Sequence, residues 1–250
     1  MADGSRPVLK KRQGEPAHKR LAPQLPTPMI KGDWTPVNDD NSGSIHDALH
    51  GKLAEANEEG GPFDITDITA CRPSFYPGIL GLQCTVLKRG RAEGVATFAL
   101  AGEDLVLFDG GSPVVHRLNL LHGLDLSTED QARDYFAFFC NAIQSDGGVF
   151  KVVEDVAALP WRGGEDTQSP EVPAGLDCRA VLSRVGADGA GIGDGAMWSA
   201  EAFIAYQSNL FVAYFTIHRG GMVKMHDDDV QVQDLPLLVE KFENGIRRLS

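Results

Sequence analysis

The chain predicts an α+β fold: antiparallel meander sheets packed by two long amphipathic helices, preceded by a disordered N-terminal arm. Three observations carry this expectation. Short apolar stretches broken by Gly, Asp and Pro turns fill residues 79–121 and 176–226, a spacing that suits hairpins better than βαβ units. Residues 128–144 and 234–249 repeat apolar side chains at the helical period. Residues 1–43 carry charge and proline without an apolar period.

The arm, 1–43, contains Pro7, Pro16, Pro23, Pro26, Pro28 and Pro36, and it cannot bury enough surface to offset its ordering entropy. Residues 44–59 read as one short amphipathic helix with Ser44 and Asp47 as a capping pair and Ile45, Leu49 and Leu53 as its stripe. The α+β body, 62–250, then begins. Strands are expected at Ile79–Lys88, Val95–Leu100, Leu105–Phe108 and, after the turn at 109–113, Val114–Leu121. Ser127 opens the first long helix, 128–144, with Ala132, Phe136, Phe139 and Ile143 inward, widened by Tyr135 and Phe138, and Arg133 and Asn141 outward. Val149–Val156 returns as a strand, and 160–175 is a loop.

Further strands are expected at Leu176–Val185, Met197–Tyr206, Leu210–His218 and Met222–His226. Leu210–His218 is apolar on both faces, as a central strand covered on both sides would be. Asp234 caps the second long helix, with Pro236 in its first turn and Leu238, Phe242, Ile246 and Leu249 as its stripe. Residues 79–144 and 176–249, within candidate subdomains 62–159 and 176–250, share a layout of strands followed by a helix. They form one joint body or two subdomains.

The 250 residues are 42% apolar and 23% charged, which excludes collagen and coiled-coil classes and any membrane-spanning helix. The charged, Pro-rich start lacks the apolar stretch of a secretory signal, so a cytoplasmic address is expected. The net charge of -12 divides unevenly. Residues 1–32 hold seven basic and two acidic side chains, +5, and the remaining 218 hold 16 basic and 33 acidic, -17. A body this acidic repels phosphate, so nucleic acid or another anionic surface is open to the arm alone. Cys71, Cys84, Cys140 and Cys178 lie too far apart for CxxC chemistry and are expected reduced.

His46-Asp-Ala-Leu-His50 resembles the HExxH helix of zinc metalloproteases, in which two histidines a turn apart bind zinc and the Glu is the base. Here Asp replaces Glu and no third ligand is identifiable. His226-Asp227-Asp228-Asp229, with His218 on the preceding strand, is the other metal candidate, since imidazole and carboxylates together suit Mg²⁺, Mn²⁺ or Zn²⁺. This run is expected in a turn at a strand's end. The Gly-rich stretch 186–195 lacks GxGxxG and GKS/GKT and reads as a hairpin loop. GxSxG is absent, Cys140 sits in an aromatic helix, and His116 and His122 occupy ordinary positions, so no nucleophile–base–orienter set emerges.

The arm is more suggestive. Lys10, Lys11, Arg12, Lys19 and Arg20 precede a PxxP spacing at Pro23 and Pro26 and the aromatic Trp34, ingredients of linear interaction motifs. The expectation is a non-catalytic binding or adaptor protein without cofactor, whose basic arm engages a protein or anionic partner. Two alternatives stand beside it. One is a metal-dependent hydrolase using His226, Asp227, Asp228 and His218, or His46 and His50. The other is a small-ligand-binding domain walled by Tyr135, Phe138 and Tyr214.

Overall fold

The structure is a computed structural model describing residues 24–37, 42–162, 178–185 and 195–250. In chain order the elements begin with β1 (Thr35–Pro36), α1 (Ser42–Ala56), β2 (Asp64–Cys71), β3 (Leu80–Lys88), β4 (Arg91–Ala101), β5 (Asp104–Leu107), α2 (Ser112–His122) and α3 (Glu129–Ala142). They continue with β6 (Gln144–Ser145), β7 (Gly148–Val149), β8 (Lys151–Val152), β9 (Val181–Arg184), β10 (Ala196–Tyr206), β11 (Asn209–His218), β12 (Val223–Val232), β13 (Glu240–Glu243) and β14 (Ile246–Leu249). This is an α+β architecture with antiparallel sheets. The first sheet runs β1-β2-β3-β4-β14-β13, with β5 also on β4. The second runs β12-β11-β10-β8, with β9 also on β10.

Helix α3 lies between the sheets and is apolar on more than one side for that reason. Phe138 meets Phe75 and Phe108 on the side of the first sheet, while Phe136 meets Phe215 of β11 at a ring separation of 4.8 Å. Its N-cap is Thr128, whose hydroxyl accepts from the Gln131 backbone N–H while the Gln131 side chain accepts from the Thr128 N–H. The cap thus sits one residue past Ser127. Arg133 and Asn141 are buried rather than outward, because a helix between two sheets has little solvent face.

Three expectations are corrected. Val114–Leu121 is not a strand but most of α2. Pro113 lies in the helix's first turn, and Val115, Leu118 and Asn119 are buried at helical spacing. Asn119 is part of a buried network. It accepts from the Tyr76 hydroxyl and donates to Tyr135 Oη at 2.8 Å and to the Gly220 carbonyl, while Tyr135 donates to the Gly221 carbonyl at 2.6 Å. These bonds hold the β11–β12 turn against α2 and α3.

The terminal helix is a hairpin, β13–β14. Asn244 and Gly245 both have positive φ, 52° and 77°, the two-residue turn that Asn-Gly favours. Glu240 and Phe242 are buried alternately, a strand's period rather than a helix's. Asp234, at φ 57°, is a left-handed loop residue and not a cap. Arg247 is fully buried, with Nη1 2.5 Å from Glu240 Oε1 and Nη2 2.9 Å from the Thr27 carbonyl. Pairing of β14 with β4 makes the chain's end part of the first sheet.

Residues 24–37 are not a disordered extension. Met29 and Ile30 are buried, β1 pairs with β2, and Trp34 packs on the main core with its indole N–H donating to the Ile30 carbonyl at 3.0 Å. The arm reading therefore applies at most to residues 1–23, which lie outside the described residues. Other departures are smaller. Strand β2 has no counterpart among the expected strands, Val149–Val156 holds only the short β7 and β8 before a 3-10 turn at Val156–Ala158, and α1 starts at Ser42 rather than at a Ser44 cap. The Gly-rich stretch 186–194 and residues 163–177 of the expected loop lie outside the described residues.

Candidate binding edge

Strand β12 forms one edge of the second sheet and, among the described residues, pairs only with β11. All of its interior side chains are exposed. Strand β11, its neighbour, is central in the sheet but not covered on both sides. Its inner face, Ala213, Phe215 and Ile217, is buried under α3, while Tyr214 on the outer face is 44% exposed. The Leu210–His218 expectation is thus half corrected, because no helix covers the outer face around Tyr214 among the described residues.

Cross-strand register sorts the side chains. On the outer face, Glu201 of β10 is opposite Tyr214 of β11, and Tyr214 is opposite Asp227 of β12. Asp229 lies on the same face opposite Val212. His226 is the extra residue of a bulge between the Tyr214–Asp227 and Phe215–Met225 pairs, and its Nε2 is 2.8 Å from Thr216 Oγ1. Glu201, Tyr214, Thr216 and His226 edge a shallow trough of about 370 Å³ that also includes Val181, Ser183 and Ser199.

On the inner face the cover of α3 runs out toward β12. Phe150, Ile204, Tyr206, Phe211 and Met225 line an apolar hollow of about 240 Å³, with Asp228 at its rim. Phe150 stacks on Tyr206 at 4.5 Å and 9°, which fixes one wall. Met225 and Val230 are 49% and 42% exposed beside it. The edge therefore separates an acidic, aromatic face from an apolar one.

The expected metal candidates are dispersed by the same geometry. The acidic run does not end a strand; it occupies the middle of β12, so Asp228 projects to the opposite face from Asp227 and Asp229. His218 lies at the far end of β11, opposite Ala196. His46 and His50 stack on one face of α1 at 6.1 Å, but His50 Nε2 is directed at the Phe63 carbonyl at 3.4 Å, and His46 lies beside Asp47 and Asp64. Among the described residues no group of three or more His, Cys, Asp or Glu side chains is arranged to hold a metal ion.

Tyr135 and Phe138, expected as pocket walls with Tyr214, are fully buried core residues, and Tyr214 is on the other side of the sheet. The three share no cavity. All four cysteines are buried; desolvation pushes the Cys71 and Cys84 thiols up to about 12 and raises Cys140 further. Such thiols are poor nucleophiles. Of the expected partner contacts, Trp34 is docked on its own core, and Lys10, Lys11, Arg12, Lys19 and Arg20 lie outside the described residues.

The residues that sequence reasoning missed are Phe150, Phe211, Met225 and Val230. Only Val230 had a sequence signal, the Val-Gln-Val that follows the acidic run and extends the strand past His226 to Val232. No helix among the described residues is long and apolar enough to cross a membrane. In comparison with known proteins, no family model, no curated protein and no solved structure matches the chain.

Proposed function

We propose that this chain is a non-catalytic binding protein that offers the β12 edge to a protein partner. One observation carries the reading: a ten-residue strand whose interior side chains are all exposed, paired on one side alone among the described residues. Unpaired backbone N–H and C=O groups along such an edge are a template for another strand. The thiols and the buried hydroxyls do not favour a competing account, since burial raises the Cys71, Cys84 and Cys140 thiols and the Tyr135 hydroxyl is engaged by Asn119 and the Gly221 carbonyl. The free, buried thiols of Cys71, Cys84 and Cys140 also suit a cytoplasmic setting.

The basic arm keeps a part in this reading as a second contact, through Lys10, Lys11, Arg12, Lys19 and Arg20. Trp34 leaves that set. The test is a photo-crosslinking amino acid placed at Gln231 on the edge, with Glu59, exposed beyond α1, as the control site. Crosslinking of a discrete partner from Gln231 and not from Glu59 is expected. Equal products from both sites, or none from Gln231, would contradict the reading.

A further inference from the structure

Resting on the reading of β12 as a contact edge, we propose that its ligand is an extended basic peptide added to β12 as a strand, with alternate side chains apolar. The two faces at the edge set this chemistry. A strand laid along β12 sends successive side chains to opposite faces. Those on the inner side meet Met225, Val230 and the hollow walled by Phe150, Tyr206 and Phe211. Those on the outer side meet Asp227 and Asp229, with Glu201 in line two strands away. The matching sequence alternates Val, Ile or Leu with Lys or Arg.

A second copy of this chain fits poorly. Antiparallel self-pairing about a two-fold axis at Asp228 would set Asp228 opposite its own copy and Asp227 opposite Asp229, placing like charges side by side at the middle of the contact. The acidic run and the bulge at His226 therefore act against self-association, as charges and bulges on exposed edges do. They do not act against a basic strand. The outer carboxylates that bar a copy of β12 attract its opposite, so specificity and protection both draw on Asp227 and Asp229.

The probe is a short, fluorescently labelled peptide of alternating Lys and Val, read by anisotropy with the full-length protein. Its controls are alternating Glu and Val, which reverses the charge, and alternating Lys and Ser, which removes the apolar half. The Lys/Val peptide is expected to bind and the Glu/Val peptide not to. Asp227→Asn with Asp229→Asn should weaken binding about fivefold, as two exposed ion pairs would, and Met225→Ser about threefold. All three positions are exposed, so each variant should melt like the wild type.

Equal binding of Lys/Val and Lys/Ser peptides, or variants that bind like the wild type, would overturn the proposal in favour of diffuse charge attraction. Tighter binding after deletion of residues 1–23 would make the chain's own arm the occupant and overturn the assignment to a separate peptide. A concentration-dependent dimer broken by Met225→Ser would assign the edge to a second copy, with the same consequence. A Gln231 crosslink with no Lys/Val binding leaves the edge reading standing and refutes this ligand chemistry. Failure of both refutes both.

Discussion

Glu240→Ala leaves the guanidinium of Arg247 in the interior without its anion. Arg247 is 0% exposed, and Glu240 lies 2.5 Å from its Nη1 while also standing 3.5 Å from Lys151 Nζ. Breaking a buried pair by removing one partner costs about 3–5 kcal/mol. Two features offset part of this. Arg247 keeps the Thr27 carbonyl at 2.9 Å, and Lys151, whose pKa burial already lowers, can give up its proton. A loss of about 3 kcal/mol is therefore expected, or about 6–12 °C in melting temperature for a chain of this size.

Urea unfolding measures it, the midpoint falling at unchanged slope. The unfolded state binds more protons than the folded one wherever pH lies between the lowered Lys151 pKa and its ordinary 10.5, so stability from this group rises with pH across that window. Glu240 raises the Lys151 pKa, so its removal extends the window downward, and the variant's deficit should shrink as the pH is raised from neutral. Replacing both partners, Glu240→Leu with Arg247→Met, should recover most of the loss, because a buried pair and an apolar pair of similar volume differ little. A deficit below about 1 kcal/mol for the single variant, or a double variant less stable than the single, would refute the burial argument.

Gly221→Ala should cost about 3 kcal/mol in the same assay, since its φ is +80° and a Cβ there would collide with Asn119, Tyr135 and Leu124. Deleting residues 1–23 should leave the melting temperature nearly unchanged. Deleting through residue 37 should lower stability by at least about 4 kcal/mol, because Met29 and Ile30 leave the core and β1 leaves the sheet. Equal melting of the two truncations would contradict the docked segment. Hydrogen bonds from the Ser127 hydroxyl, the Gln131 amide and the Ser127 N–H hold the Asp125 carboxyl below its ordinary 3.8. Its stabilisation is therefore present above that value and lost as pH falls through the lower folded pKa. Asp125→Ala should destabilise at about pH 6, and the difference from wild type should diminish toward about pH 2.

Much of the second sheet was legible because β10 and β11 carry long apolar periods, and α3 because its aromatic stripe has few competing readings. The failures have specific physical sources. Val114-Val115 has high strand propensity, but Pro113 and the buried triple Val115, Leu118 and Asn119 make a helix, and only the tertiary partners Tyr76 and Tyr135 reveal why Asn119 is inward. In the last segment Leu238, Phe242, Ile246 and Leu249 satisfy the helical period by coincidence with the strand period, and the Asn244-Gly245 turn was the discriminating signal. Trp34, Met29 and Ile30 sit among prolines, so composition hid three core contacts.

At the edge, the acidic run was visible but its conformation was not. Three consecutive carboxylates favour a turn by composition, whereas pairing with β11 holds them in a strand and divides them between faces. That division turns an apparent metal cluster into two chemically different sides of one strand. The apolar hollow could not be read from sequence at all, because Phe150, Tyr206, Phe211 and Met225 come from four separate segments.

Hydrogen exchange of the full-length protein with and without the Lys/Val peptide tests the central claim most directly. Backbone amides of β12 that face away from β11 exchange fast in an unpaired edge and slowly once a strand is added. New protection is expected to be confined to β12, alternating along Val223–Val232, with none in β2 or α1. Binding without any gain of protection on β12, or protection appearing elsewhere, would contradict it.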